Sequence, residues 1–177
     1  MIRHLRTYAP IAYSLVASLV FLDSLRFKFT NAPETQTIFG KLDAWAAGFG
    51  AEGLFAQTGL FSQYVIGSAE FVASSLLIAS LVPALSRLRT FGALIAVAVM
   101  SGAVSFHLFT PLGIDPNNDG GGLFFMAVVV WLSSLAMVFA GRGVLAQLGG
   151  AILKVLVPAR PMSATQVTGH VPTPAQS

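Results

Sequence analysis

Long apolar runs alternate along the chain with short polar breaks. Four runs, at about residues 9–29, 60–82, 91–109 and 122–140, approach the ~20 residues a spanning helix requires. Each is bounded by charge, Pro or Gly. The pattern predicts an all-α fold, an integral membrane four-helix bundle. Between the first two runs, Pro33-Glu34 looks like a helix start, and Ile38, Leu42 and Trp45 then repeat at helical spacing. This predicts a short extracytoplasmic amphipathic helix on the membrane surface, with Trp45 as interfacial anchor. Gly48, Gly50 and Gly53 make the following stretch flexible.

Residues 144–157 are apolar but too short to span, and Gly149-Gly150 interrupts them. They read as an interfacial segment. Residues 158–177 are rich in Pro, Thr, Ser, Ala and Gln, have nothing to bury, and read as a disordered cytoplasmic tail. Residues 1–143 then form the transmembrane domain.

Composition sharpens this picture. Charged residues make up 10% of the 177 and hydrophobic residues 55%. A soluble domain carries about a quarter charged residues, so the expected surroundings are a lipid bilayer. The net charge of +3 comes without a Lys/Arg cluster interleaved with aromatics, which argues against nucleic acid as a partner. There is no cysteine, which excludes a dithiol relay, thiolate metal sites and disulfides.

The basic residues give an orientation. Arg3, Arg6, Arg87, Arg89, Arg142, Lys154 and Arg160 fall on one side of the predicted spans. Arg26, Lys28 and Lys41 fall on the other, among Glu34, Asp43, Glu52, Asp115 and Asp119. The positive-inside rule then places both termini in the cytoplasm. Met1–Arg6 resembles the basic start of a signal peptide, and Leu15-Val16-Ala17 is a tolerable cleavage site. The apolar run continues past it into Asp23–Phe29, longer than a signal peptide needs.

A few ionisable residues lie inside these runs. At 1.5 Å per residue, Asp23 and Arg26 stand roughly 21 and 25 Å from the cytoplasmic end of their helix, Glu70 roughly 18 Å and His107 roughly 24 Å. Three helices thus bring ionisable groups to one layer, where a charge is costly and functional by default. On the second helix Gln63, Gly67, Glu70 and Ser74 follow i, i+4, i+7, i+11, a polar or small stripe. On the third, Ala96, Ala103 and His107 share a face with Met100 between them. Each charged residue also has a purely structural reading. Glu70 protonated bonds a neighbouring helix, His107 sits comfortably near an interface, Asp23 and Arg26 pair at i, i+3, and Arg26 and Lys28 snorkel outward.

Metal chemistry has little support. His107 is the one histidine in a predicted span, which excludes bis-histidine ligation within the chain, and His107 with Glu70 and Asp23 has no diagnostic spacing. Asp115-Pro116-Asn117-Asn118-Asp119-Gly120 fits the first half of a calcium loop, but Met126 stands where the closing glutamate belongs. The expected role of this stretch is a tight turn that caps the fourth helix through Asp119.

Several motifs in order resemble the DoxX-like bacterial membrane proteins. They are Arg26-Phe27-Lys28-Phe29-Thr30-Asn31-Ala32-Pro33-Glu34-Thr35 with Ile38-Phe39, then Gly67-Ser68-Ala69-Glu70, then Met100-Ser101-Gly102-Ala103 with His107-Leu108, then Leu112-Gly113-Ile114 and Asp119-Gly120-Gly121. The resemblance covers about residues 21–142. It implies four transmembrane helices in the bacterial inner membrane. It also implies an association with redox assemblies, the family name deriving from a subunit linked to thiosulfate:quinone oxidoreduction. Glu70, His107 and Asp119 match the family's recurring polar positions, without established catalytic roles attached.

Two functional readings follow. In the first the chain is a quinone-linked redox subunit: Glu70 and His107 exchange protons, Arg26 polarises a quinone carbonyl, and Asp23, Lys28, Gln63 and Asp119 complete the binding site. Quinone is then the candidate cofactor, and a redox partner protein carries the electrons. In the second the bundle is a scaffold or small-solute transporter, a homo-oligomer in the transporter case, and the polar layer holds helices together or binds the solute.

Overall fold

Lipid leaves a backbone no partner but itself, so apolar runs of this length fold as helices. The structure, a computed structural model, describes residues 2–156, with side chains for residues 7–153. The expectation for residues 158–177 lies outside the described residues. Among those described there are six α-helices, a 3-10 turn at Pro83–Leu85 and no strand. The helices are α1 (Ile2–Phe29), α2 (Pro33–Ala47), α3 (Gln63–Ala79), α4 (Leu88–Phe109), α5 (Gly122–Ala140) and α6 (Arg142–Leu156).

Three helices are long and apolar enough to cross a membrane: α1 over Thr7–Phe29, α4 and α5. The second predicted span is shorter than expected. α3 has 17 residues, about 25 Å of helix. Ser62 ends the run early on one side by accepting a hydrogen bond from the Val65 N–H. On the other side, turn bonds from Leu81 and Val82 lead into Pro83, which lacks the N–H to extend the helix.

α1 packs on α3, α3 on α4, α4 on α5, and α5 returns to α1. The common core holds Tyr13, Ala17, Phe21, Ala73, Leu77, Ala93, Ala96, Met100, Val104, Ala127 and Val130. Small residues let the backbones approach. A Cβ added at Gly92 of α4 would lie 2.9 Å from Leu77 Cγ and 3.1 Å from the Ala73 carbonyl oxygen of α3. The outward faces remain apolar, with Leu19, Phe71, Phe109, Phe125, Leu132 and Phe139 all exposed.

α2 forms where Pro33 and Glu34 predict a helix start. It is more than a surface helix. Leu42 and Ala46 are buried with Phe55 and Leu112, and Ile38, Phe39, Trp45 and Phe106 pack around them. α2 therefore caps the helix ends. The glycine-rich stretch after it is a set of tight turns: a Cβ at Gly59 would meet the Gly53 carbonyl oxygen at 2.2 Å. α6 runs as one helix through Gly149-Gly150.

Candidate functional site

α1 and α3 carry matching stripes. On α1, Ser14, Ser18, Phe21 and Leu25 are buried at i, i+4, i+7, i+11. On α3, Gln63, Gly67, Glu70 and Ser74 are buried at the same spacing. Laid antiparallel, the stripes form a polar seam. Ser14 Oγ meets Ser80 Oγ at 3.2 Å, and Ser18 Oγ donates to the Ser74 carbonyl at 3.4 Å. Arg89 of α4 closes one end, donating through Nε to Ser14 Oγ and through Nη2 to the Ser80 carbonyl, each at 3.1 Å.

The other end of the seam holds the buried charges. Lys28 Nζ lies 3.0 Å from both Glu70 carboxylate oxygens and also donates to Ser24 Oγ. The side chains are 12% and 4% exposed, so this pair is shielded from solvent. Gly67 makes room for it, its missing Cβ lying 3.5 Å from Lys28 Cδ and 3.3 Å from Phe29 Cε2. One turn of α3 further out, Gln63 Nε2 donates to the Lys28 carbonyl at 2.8 Å and to Asn31 Oδ1 at 3.1 Å. Gln36 and Gln57 also donate to Asn31 Oδ1, at 2.5 and 2.8 Å, and Gln36 donates to Gln63 Oε1 at 2.7 Å. A cleft of about 110 Å³ opens above these amides, lined by Gln36, Phe39, Asp43, Phe55, Gln57 and Gln63. That volume holds a few waters and falls short of a drug-sized ligand's pocket.

The structure divides the residues that depth alone groups together. Glu70, Lys28 and Gln63 meet. Arg26 and Asp23 do not join them: they form a 3.0 Å pair with each other, 68% and 66% exposed. Helical phase explains the split, since Lys28 continues the buried stripe of α1 and Asp23 and Arg26 fall off it. His107 is buried but bonds locally, Nδ1 to the Gly113 carbonyl at 2.6 Å, with its ring edge-on to Phe124. No hydrogen bond or ion pair links it to Glu70. The expected pocket of Glu70, His107 and Arg26 is therefore not assembled, and Lys28 takes the place expected of Arg26.

Asp119 sits apart, at the start of α5. Its Oδ2 accepts from the Leu123 N–H at 2.8 Å and its Oδ1 from the Gly121 N–H at 3.1 Å. Desolvation raises its carboxyl, but the Leu123 and Gly121 amide bonds and the hydrogen bond with Asp115 together outweigh that and hold it below the usual carboxylate range. Asp115 Oδ1 accepts from the Asp119 N–H at 2.7 Å, so the turn is internally tied. Among the described residues no group of three or more His, Cys, Asp or Glu is placed to hold a metal ion.

The sequence reading missed Ser24, Asn31, Gln36 and Gln57, and the serine seam with Arg89. The signal for the seam was present: Ser14 and Ser18 repeat the spacing already visible on α3. Comparison of the chain with protein-family models, with characterised proteins and with solved structures finds no match.

Proposed function

We propose that this chain is a multi-pass protein of the bacterial inner membrane, of the DoxX-like kind, and that it acts as an accessory subunit of a redox assembly rather than as a catalyst. In this reading α1, α3, α4 and α5 form the transmembrane bundle and both termini are cytoplasmic. The orientation is supported by charge: seven of the ten basic residues flank one set of span ends. α3 reaches across with its flanking turns, and the bilayer thins slightly around it.

The closed Lys28–Glu70 pair carries the non-catalytic part of the reading. The two charges neutralise each other and are sealed by Ser24 and Gly67. A catalytic acid needs access to its substrate, and a staple needs a buried partner. The redox association rests on the resemblance in motifs from Arg26 to Gly121.

A second reading keeps a proton role for Glu70 in quinone chemistry. The cleft above Gln63 favours it, because Gln63 bonds the Lys28 backbone and faces the cleft. A water entering that cleft would stand within one residue of the ion pair. Protein purified in mild detergent from its native membrane separates the two readings. Mass spectrometry of extracted ligands and of co-purifying proteins is expected to find a redox protein partner and no stoichiometric quinone. A bound quinone that disappears in Glu70→Gln would replace the first reading with the second.

A further inference from the structure

One end of the protein gathers cations without acids. The seven Asp and Glu residues are 23, 34, 43, 52, 70, 115 and 119. All lie on the α2 half of the helices or in the connections at that end. The opposite end holds the junction of the 3-10 turn with α4, and the junction of α5 with α6. These junctions touch. A Cβ on Gly141 would stand 2.2 Å from Thr90 Oγ1, so backbone and side chain are in direct contact there. Arg142 follows Gly141 directly, so its side chain starts from this contact. Arg87 lies three positions before Thr90, on its side of the helix start, its carbonyl accepting from the Thr90 N–H at 3.2 Å; Arg89, two positions after Arg87, turns away to Ser14 and Ser80.

The three guanidinium groups differ in freedom. Arg89 is fixed by Ser14 and Ser80. Arg87 and Arg142 are exposed, and neither forms a hydrogen bond or ion pair among the described residues. The helix that leaves this corner is amphipathic and scarcely covered. Leu148, Ile152 and Leu153 of α6 are exposed, while Gly143, Gln147 and Gly150 fall on another face by helical spacing. Phe139, near the end of α5, is also exposed.

Cations beside a bare apolar helix face match an amphiphile with a negative head. A free phosphate would use the cations and leave the apolar face bare. A zwitterionic lipid would cover the face and leave the cations without a net counter-charge. We propose that this corner seats an anionic phospholipid, its phosphate at the exposed Arg87 and Arg142, its acyl chains along α6 and the end of α5. The inference rests on the membrane reading above and adds a lipid class and a site to it.

The test uses the full chain in a neutral detergent, with phosphatidylglycerol and phosphatidylcholine added in parallel and inorganic phosphate as a third probe. Phosphatidylglycerol is expected to raise the melting midpoint and to survive as a bound adduct in native mass spectrometry, with neither effect from the other two. The double variant Arg87→Gln/Arg142→Gln is expected to need roughly tenfold more phosphatidylglycerol or above for the same shift, and Lys41→Gln, at the far end, no more than the parent. Equal shifts from both lipids, an equal shift from phosphate, or an undiminished response in the double variant would each overturn the proposal. Carbonate washing of native membranes separates this from the reading beneath it. Release of the chain sinks the membrane reading itself, whereas a retained chain without lipid discrimination sinks only the lipid site.

Discussion

Lys28 Nζ stands 3.0 Å from each oxygen of Glu70, although the two residues are 42 positions apart and on different helices. The contact makes the α1–α3 seam depend on charge balance. Truncating one partner leaves the other buried and uncompensated, a loss of about 3–5 kcal/mol, whereas replacing both by apolar groups of similar volume is close to neutral. Lys28→Met and Glu70→Leu are each expected to lower the thermal midpoint in detergent sharply, and the combined variant to recover most of the loss. Two single variants that melt like the parent would show that the pair holds nothing together.

Gly67 controls the same contact from the other side. Its absent side chain leaves the space over which Lys28 and Phe29 lie. Gly67→Leu should push Lys28 off Glu70 and cost about 1–3 kcal/mol by overpacking. Gly67→Ala, whose Cβ meets Phe29 at 3.3 Å, should cost less. Measured against Lys28→Met, the leucine variant should be strongly non-additive, because both act on one ion pair. Full additivity would mean that Gly67 and Lys28 act independently.

Much of the helical pattern was legible because it depends on composition and period alone. The buried stripe Gln63, Gly67, Glu70, Ser74 could be read from spacing, and so could the helix start at Pro33 and the turn that Asp119 closes. Helical rise converts position along a run into height along the helix axis, and that is all it gives. Azimuth on α1 was not legible. Asp23, Arg26 and Lys28 lie within two turns of each other, and only the phase of Ser14, Ser18, Phe21 and Leu25 decides that Lys28 turns inward. The amide cluster was out of reach for another reason. Asn31, Gln36, Gln57 and Gln63 come from four separate stretches, and the turns around Gly53 and Gly59 bring Gln57 to the other three. His107 illustrates the limit of shared depth, because its partner is the carbonyl of Gly113, six residues on.

Asp119 predicts an acid-side effect at the start of α5. Its carboxyl titrates below its ordinary range because the Gly121 and Leu123 amides stabilise the charged form. A depressed folded value means that its contribution is fully present above the unfolded carboxylate pKa and is lost as pH falls through the folded one. Asp119→Ala should cost about 0.5–1 kcal/mol at neutral pH, the low end for an end cap because the group is exposed. The gap between parent and variant should close as the solution is acidified into the carboxylate range. A pH-independent gap in parallel melting curves would show that the backbone turn, and not the carboxylate, holds the helix start.

A close approach of α3 and α4 supplies a last test, away from any charge. Gly92 presses its bare Cα against Leu77 and the Ala73 carbonyl. An alanine Cβ there would sit 2.9 Å from Leu77 Cγ, so Leu77 or the whole of α4 must move. Gly92→Ala gains helix propensity but should still lose about 1–3 kcal/mol to the clash. Leu77 is fully buried, so Leu77→Ala alone should cost about 2–5 kcal/mol through the cavity it leaves. In the double variant the new methyl enters that cavity, and the combined loss should fall well below the sum of the two single losses. Thermal unfolding of all four proteins in one detergent gives the coupling directly. A coupling near zero would mean that the two helices do not meet at these residues.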